Sequence, residues 1–435
     1  MNKISKYISA VPAIFAILIG FASCDDVDYP DRYKVADGAP TVYSVRYADQ
    51  DINITQAYMD EIVCILGDNL RSTVQLWFND QEATLNTSYI TDNTLMVSVP
   101  KNMPKNQTDK MYLITRDQDT VAFDFKVLPP VPKVSSMSNE WAKEGEKVTI
   151  YGSYLIDDST VPLEISFPGA TVPHSDMTFD GSSSVSFHVP SGAQSGYVTV
   201  TSLSGTGKSK FVYKDSRNIL FDWDGSHGGF ATGHGWRNGV VHTPGTDSFT
   251  ALDGSYLYFG GAEMKGGIGD TWAEDNFSFD YWPDAVGGAC PPLSSLPTFA
   301  DYIKTYDVGG LQIKFEVLVP SASPWSAAGL QIMFSSDELV TYATATNGYF
   351  SNAAFPRAVW MPWTSTGSYD TADKWVTVTI PFTSFNKSFD NAECATAFSK
   401  KYLTGLTFFV WNGGIEGTTC NPVLAIDNIR VVPTE

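Results

Sequence analysis

The chain has 435 residues, 48 acidic and 28 basic side chains, and a formal net charge of −20 at pH 7. This acidic balance argues against a nucleic-acid partner, which would need clustered Lys and Arg. Charged residues make up only 17% of the chain and aromatic residues 13%, which argues against a disordered chain. Five His and five Cys, with no two Cys close together, leave little material for a zinc site.

The amino terminus is predicted to be a secretory signal over residues 1–23. Lys3 and Lys6 give it a positive start, and an apolar run over residues 11–21 is too short for a membrane span, which takes about 20 apolar residues. The sequence FASC ending at Cys24 resembles a bacterial lipobox, in which the Cys is lipidated and becomes the first mature residue. An ordinary cleavage site with an incidental Cys is the alternative.

Residues 24–38 are predicted to be a lipidated Cys and an acidic tether. The sequence DDVD directly after Cys24 resembles the export signal of surface lipoproteins in Bacteroidetes-type bacteria, and a solvated leash is the alternative. Lipidation would anchor the protein without a transmembrane segment.

The rest of the chain is made of short alternating runs broken by Gly, Pro, Asn and Asp, which predicts an all-β fold. Its first half contains a weak internal repeat. Segments of the first copy recur in the second, 40–45 at 132–137, 63–70 at 148–155 and 97–100 at 187–190.

Each copy contains a strand, a Gly-x-x-Leu turn that begins at Gly67 or Gly152, and a later x-Val-Pro. This pattern resembles the TIG/IPT immunoglobulin-like domain. We expect the Gly to adopt a positive φ and the Pro to end a strand. The resemblance predicts two immunoglobulin-like sandwiches, at residues 39–128 and 131–214, joined by a short and stiff Pro-rich linker.

Residues 215–435 form one block with no obvious break. Alternation over residues 311–319 predicts a strand with one buried face, and similar runs end the chain at residues 406–411 and 424–432. Many strands without a long helix predict a larger jelly-roll-like β-sandwich.

Nine of the eleven Trp fall in this block. Aromatic planes stack on the C–H faces of sugar rings, so the bias favours carbohydrate binding. Trp325 lies in a loop and Trp360 is out of phase with its neighbours, so we expect both rings to be exposed and coplanar, with Trp363 beside them. Trp223, Trp375 and Trp411 are predicted to be structural.

Side chains near this cluster are predicted to supply edge contacts to sugar hydroxyls, and they are Tyr349, Asn352 and Arg357. Arg357 is the one basic residue near the cluster, which favours a neutral glycan. Trp272 and Trp282 lie in a Gly-rich insertion that also contains Asp270, Glu274 and Asp280. An ordered surface loop is predicted there, with a second rim of the site or a metal-held loop as alternatives.

The whole chain resembles the surface glycan-binding lipoproteins of Bacteroidetes polysaccharide utilisation loci. The shared features are the lipobox, the acidic tether, the two immunoglobulin-like modules and the Trp-rich β-domain. The most specific part of this resemblance is to the type B protein, which has a xyloglucan-binding-like domain. It depends on residues 253–258, 359–363, 375–381 and 426–431. The resemblance implies β-glucan binding, of xyloglucan or mixed-linkage glucan, on an aromatic platform that matches Trp325 and Trp360. It also implies a non-catalytic role at the outer membrane, beside a β-barrel importer and its partner lipoprotein.

Two other functions stay open. A β-sandwich glycoside hydrolase would need two carboxylates about 5–10 Å apart, yet Glu316 and Asp427 each stand alone on their strands. A structural adhesin would use the Trp residues as core.

Calcium and disulfide formation are further predictions. Asp222, Asp224 and Asp427 are candidate ligands for a structural calcium, although Asp222 and Asp224 are also suited to capping a loop. Cys64 is predicted to be buried, and Cys290, Cys394 and Cys420 allow one disulfide, whose pairing stays open.

Overall fold

The computed structural model describes residues 38–267, 273, 275–284, 290–336, 340–341, 347–411 and 415–434. The predicted signal, the lipidation site at Cys24 and nearly all of the tether lie outside this part, as do Asp270, Trp272 and Glu274. In the described part, no helix has the length and apolar character that crossing a membrane requires. The chain forms two compact units, which meet in sequence between Pro130 and Val131.

The first unit is made of short β-strands: β1 (Thr41–Tyr47), β2 (Asn53–Ile54), β3 (Gln56–Tyr58), β4 (Ile62–Asp68), β5 (Thr73–Phe78), β6 (Gln81–Ala83), β7 (Thr94–Ser98), β8 (Lys110–Thr115), β9 (Thr120–Asp124) and β10 (Lys126–Leu128). They form two antiparallel sheets, with the orders β2-β1-β4-β7 and β6-β5-β8-β9, and β3 pairs in parallel with β10. Alternate residues such as Leu76, Phe78 and Leu113 are buried, as an immunoglobulin-like sandwich requires.

The second unit begins with eight strands: β11 (Lys133–Met137), β12 (Lys147–Ser153), β13 (Glu164–Phe167), β14 (Ala170–Thr171), β15 (Thr178–Asp180), β16 (Ser184–His188), β17 (Gly196–Ser202) and β18 (Gly205–Tyr213). These strands pair in the same order as those of the first unit. The run β11-β12-β16 corresponds to β1-β4-β7, and the run β14-β13-β17-β18 corresponds to β6-β5-β8-β9. Both halves share one hydrophobic core that includes Ile150, Ile165 and Phe187. The internal repeat is therefore a repeat of topology.

The Gly of each Gly-x-x-Leu turn has a different role from the predicted one. Positive φ occurs two residues later, at Asn69 (57°) and Tyr154 (59°), so the prediction for Gly67 and Gly152 is wrong. A Cβ at Gly152 would lie 2.0 Å from the Lys133 carbonyl oxygen, and one at Gly67 would lie 1.9 Å from the equivalent oxygen of the first strand. Glycine is required there because a bulge in the neighbouring strand brings two backbones together.

The rest of the second unit contains ten strands and one short helix in its described part: β19 (Ile219–Phe221), β20 (Val240–His242), β21 (Tyr256–Phe259), β22 (Ser278–Tyr281), α1 (Pro297–Thr305), β23 (Leu311–Leu318), β24 (Gly329–Ser335), β25 (Ala358–Trp360), β26 (Val376–Pro381), β27 (Gly405–Trp411) and β28 (Leu424–Pro433). One sheet has the order β20-β21-β28-β23-β26, with β19 also paired to β28, and the other has the order β22-β27-β24-β25. Their facing sides form the main core, which includes Phe279, Phe315 and Phe408.

Strand β23 is buried on both faces, whereas its alternation predicted one buried face. The apolar side faces the main core, as expected. The polar side is covered because the second immunoglobulin-like sandwich packs on it through Glu140 and Trp141. The two sandwiches of this unit therefore share an interface.

A buried ion network joins these sandwiches. Glu140 accepts hydrogen bonds from Lys314 Nζ at 2.6 Å and from Arg430 Nη2 at 3.0 Å. Arg430 also binds both carboxylate oxygens of Glu316, at 2.7 and 3.0 Å. All four side chains are at most 5% exposed, and their two positive and two negative charges balance. Thr377 completes the junction, because its hydroxyl accepts from the Glu140 N–H at 2.7 Å and donates to Glu316.

We expect Arg430→Met to lower the free energy of unfolding of the second unit by about 3–5 kcal/mol, because it leaves two carboxylates buried with one cation. Lys387→Met is the control, since the Lys387–Glu393 pair is largely solvated and worth about 0–1 kcal/mol. Urea unfolding followed by Trp fluorescence measures both changes. Equal effects of the two substitutions would contradict the role given to the network.

Gly152→Ala should destabilise the second unit by about 1–3 kcal/mol, because the new methyl group would collide with a backbone oxygen that cannot move freely. Gly309→Ala is the matched control, since the nearest atom to its added Cβ is 3.6 Å away. Thermal melts of the two variants test the close-approach explanation, which fails if Gly152→Ala melts at the wild-type temperature.

Candidate functional site

The structure does not form the predicted Trp325–Trp360 platform. Trp325 is 0% exposed, and its ring meets that of Trp360 at 61° with centroids 5.5 Å apart. An antiparallel bridge to Tyr369 holds the Trp325 backbone, and the indole N–H donates to the Ala327 carbonyl at 2.5 Å. The prediction that these rings are exposed and coplanar is wrong because this loop folds back into the end of the sandwich.

Trp360 and Trp363 also pack on the core. Trp363 is 8% exposed and donates its indole N–H to the Ala328 carbonyl at 2.8 Å. Trp360 is half-buried, and its ring packs against Phe315 of the core at 6.0 Å. Trp360 therefore packs on the core together with Val359 and Met361, from which it was expected to face away.

Two of the three predicted edge residues are structural. Arg357 is 0% exposed and donates to Gln331 Oε1 at 2.7 Å and to the Phe350 carbonyl at 2.8 Å. Burial lowers the pKa of Arg357 to about 10. Tyr349 is 3% exposed, and burial raises the pKa of its hydroxyl. Asn352 is exposed, and its side chain caps a local turn by accepting from the Ala354 N–H.

A different aromatic surface lies on the side of the β22-β27-β24-β25 sheet that faces away from the main core, which we call the outer face. Alternation places Phe408 in the main core and Thr407 and Phe409 on the outer face. The same alternation turns Asp280 and Trp282 outward at β22. A segment that contains Tyr349 and Phe350 packs over part of this face.

Six rings follow one another across the outer face and form what we call the aromatic row. Successive centroids are 6.0, 6.1, 4.8, 6.1 and 5.5 Å apart in the order Trp236, Trp282, Phe350, Phe409, Trp411 and Phe389. Trp236 is 50% exposed at one end, and Trp411 and Phe389 are half-buried at the other. Trp411 and Phe389 stack with an interplanar angle of 29°. The row is thus buried in the middle and open to solvent at both ends.

The positions of these rings differ from those that the sequence predicts. Trp236 was missed, because it lies in a Gly-rich stretch without periodicity. Trp411 is predicted to be core, but it is half-buried as the last residue of β27. Trp282 was predicted to lie in a surface loop but is 0% exposed, because it directly follows β22. The predictions for Trp223 and Trp375, which are 3% and 7% exposed, are confirmed.

A polar chain anchors the middle of the row. The Trp282 indole N–H donates to the Thr407 hydroxyl at 3.0 Å, and that hydroxyl donates to Asp280 Oδ1 at 3.1 Å. Burial raises the pKa of Asp280 to about 7. Gln331 donates to the Phe389 carbonyl at 2.8 Å, which holds that ring beside Trp411. Hydrogen bonds therefore hold the Trp282 ring and the Phe389 backbone in addition to packing.

A cleft of about 520 Å³ lies elsewhere, at the junction of the two sandwiches of the second unit, lined in part by Thr250, Asp373 and Trp375. Trp375 is buried there and donates its indole N–H to the Thr250 carbonyl at 2.8 Å. This cleft therefore offers no open Trp face to a ligand. The outer face is the better candidate site.

The predicted calcium ligands do not converge in the described structure. Asp222 accepts from the N–H groups of Gly225 and His227, at 2.9 and 2.7 Å, so it caps its own loop. Asp224 accepts from Ser226 in the same way. No group of three metal-ligating atoms within the described residues includes Asp427. Calcium binding by this set stays a prediction, without geometric support.

The cysteines of the described part are all free thiols, so Cys290, Cys394 and Cys420 form no disulfide in this structure. Cys64 is 2% exposed, as predicted. Cys394 and Cys420 lie in separate hydrogen-bonded positions, beside Ala353 and Ser326.

Comparison with known proteins gives the family. Residues 213–433 match the family model described as the surface glycan-binding protein B xyloglucan binding domain. The crystal structure of the surface glycan-binding protein SGBP-B from Prevotella bryantii is 36% identical, covers 92% of this chain and 100% of its own, and superposes with a TM-score of 0.73. The chain belongs to the surface glycan-binding protein B family.

A curated relative supports the domain description. A protein from Bacteroides ovatus named for its IPT/TIG domain is 23% identical over 180 residues, which are 39% of this chain. The chain spans 35% of the length of that relative. The family match places this chain among cell-surface glycan-binding proteins, and the all-β fold with immunoglobulin-like TIG modules is confirmed.

We expect Asp280→Asn to change how stability depends on pH. Because the folded-state pKa is about 7 against 3.8 for an ordinary Asp, the folded protein retains a proton that the unfolded chain loses between these values. Wild-type stability should therefore fall as pH rises through this window, by at most about 1.4 kcal/mol per pH unit. The Asn variant lacks this loss and should gain about 2–4 kcal/mol relative to wild type between pH 4.5 and 7.5.

Urea unfolding at pH 4.5, 6.0 and 7.5 measures this difference. Asp301→Asn, which changes an exposed carboxylate on α1, is the control. Parallel pH profiles of wild type and Asp280→Asn would show that Asp280 is ionised in the folded protein at all three values.

Proposed function

We propose that this protein is a non-catalytic, cell-surface lipoprotein that captures a neutral β-glucan, xyloglucan or mixed-linkage glucan, by aromatic stacking for a glycan uptake system. The observation that carries the proposal is the aromatic row, which lies on the outer face of the domain that matches the xyloglucan-binding family model. Its open ends expose the Trp236 ring and part of the Trp411 ring.

The row suits a polysaccharide because its exposed rings are held in place before binding. The faces of pyranose rings carry C–H groups that stack on indole, and an immobile ring loses little conformational entropy on binding. Trp236 packs against Trp282, which packs in turn against Phe350, and Trp411 packs against Phe409. Two separated exposed ends would contact separate sugars of an extended chain.

Charge favours a neutral glycan. The net charge of −20 would repel an acidic polysaccharide. Arg357 is buried and its guanidinium is bonded to protein oxygens. The Arg237 guanidinium packs on the row itself, 6.0 Å from the Trp236 centroid and 5.8 Å from the Phe350 centroid. Neither arrangement resembles a site for carboxylated sugars.

The domain order fits presentation of the site at the cell surface. A lipid at Cys24 would anchor the chain in the outer membrane, and the immunoglobulin-like modules would separate the glycan-binding domain from that anchor. We infer a β-barrel importer and its partner glycan-binding lipoprotein as neighbours. Individually weak sites would retain a long polymer through multivalency on a crowded membrane.

Trp236→Ala should weaken β-glucan binding by about 1 kcal/mol or more, the scale of a lost aromatic anchor, without unfolding the exposed site. Trp411→Ala should weaken it similarly. Affinity electrophoresis of residues 25–435 through gels containing xyloglucan, mixed-linkage glucan, mannan or xylan measures this. Tyr89→Ala, which removes a 58% exposed ring from the first unit, is the matched control.

The electrophoresis results distinguish glycan binding at the aromatic row from glycan binding elsewhere and from hydrolysis. Retardation by a β-glucan that Trp236→Ala reduces and Tyr89→Ala preserves supports the proposal. If Trp360→Ala abolishes the retardation and the variants of the aromatic row do not, the glycan binds at the edge of the sandwich and the row is not the site. Absence of retardation in every gel would overturn glycan binding, and shortened polymer would indicate a hydrolase. Trp325→Ala is expected to destabilise the fold, because that ring is buried.

A further inference from the structure

Beside the aromatic row, His234, Asp284 and Cys290 bring three different ligating atoms together. The His234 nitrogen, the Asp284 carboxylate oxygen and the Cys290 sulfur all lie within 4.8 Å of one another. In the described part of the chain, this is the one place where three His, Cys, Asp or Glu side chains converge at metal-ligand spacing. We propose that these three residues form a binding site for Zn²⁺.

Backbone hydrogen bonds hold the three ligands in place. His234 N–H donates to the Asp280 carbonyl at 2.9 Å, and Trp282 N–H donates to the His234 carbonyl at 2.6 Å, which ties His234 to β22. Asp284 follows the same strand, and its N–H donates to the Cys290 carbonyl at 3.1 Å. The ligands therefore come from segments already bonded to one another, so a metal ion would find a largely preformed site.

The donor set favours Zn²⁺ over calcium and magnesium. Imidazole nitrogen, carboxylate oxygen and thiolate sulfur are the three side-chain donors that Zn²⁺ takes in proteins, usually in a tetrahedral arrangement. Calcium and magnesium prefer oxygen donors, so a site with imidazole and thiolate excludes them. The His234 and Asp284 side chains are 26% and 30% exposed, which leaves solvent access for a fourth ligand such as water.

Other histidines of the chain provide internal comparisons. Each of the five His lies within 2.7–2.9 Å of an Asp oxygen, so a His–Asp pair alone is a common structural contact here. His242 pairs with Asp247 at 2.7 Å, and His227 pairs with Asp253 at 2.8 Å. Within the described residues, the pair at His234 is the one that is joined by a thiol. That thiol distinguishes a metal site from a hydrogen-bonded pair.

The position of the site gives it a structural consequence. His234 lies two residues before Trp236, the exposed end of the aromatic row, and Asp284 lies two residues after Trp282. A bound ion would fasten the segment that carries Trp236 to the end of β22. Zinc binding is nevertheless testable without a glycan, and it does not depend on the proposed function.

The test is a titration of reduced, metal-free residues 25–435 with Co²⁺, a spectroscopic substitute for Zn²⁺. We expect one Co²⁺ per chain, with the near-ultraviolet charge-transfer absorption of a cobalt–thiolate bond, displaced on adding Zn²⁺. Cys290→Ser should abolish that absorption, and Asp284→Asn should weaken binding about tenfold or more, because it replaces an anionic ligand by a neutral one of the same shape.

The matched controls are Cys394→Ser, which removes another half-buried free thiol, and His242→Gln, which breaks a His–Asp pair without a thiol. Both should bind Co²⁺ as wild type does. No thiolate absorption in wild type, or the same absorption in Cys290→Ser, would overturn the proposal. Asp284→Asn keeps a side chain of the same size, so it decides the question if Cys290→Ser does not fold.

Discussion

The buried ion network around Arg430 joins the two sandwiches of the second unit. Four charges without solvent are tolerated because each cation meets a carboxylate, and Arg430 binds Glu316 through two nitrogen–oxygen pairs. The network joins the second immunoglobulin-like sandwich to the polar face of β23. One sheet of the C-terminal sandwich is thereby covered, and the outer face of the other sheet is the one that we propose for the glycan.

The outer face combines features that usually conflict. Binding a sugar polymer needs exposed rings, whereas exposed rings on a free loop are mobile and lose entropy on binding. The aromatic row resolves this by burying its middle members and exposing its ends. Trp282 is anchored by Thr407, and the exposed Trp236 packs against it. The Zn²⁺ site that we propose would fasten the same segment to the end of β22.

Local patterns predicted the fold closely. The internal repeat predicted both immunoglobulin-like modules, and alternation predicted β23, β27 and β28 to within about one residue, because strand burial follows period two. Alternation did not predict the burial of both faces of β23, because its polar face is also covered. A strand cannot encode whether another domain will cover its hydrophilic side. The Gly-x-x-Leu glycines show the same limit, since a close approach by another strand explains them.

The sequence by itself determined the all-β class, the domain order and the enrichment of Trp in the C-terminal domain, because these depend on composition and on short-range periodicity. Only the tertiary structure decided which Trp rings are exposed. Trp325 and Trp236 both lie in irregular segments, yet one is buried by a bridge to Tyr369 and the other is half exposed. Ring exposure depends on contacts between residues distant in sequence, as does the convergence of His234 with Asp284 and Cys290.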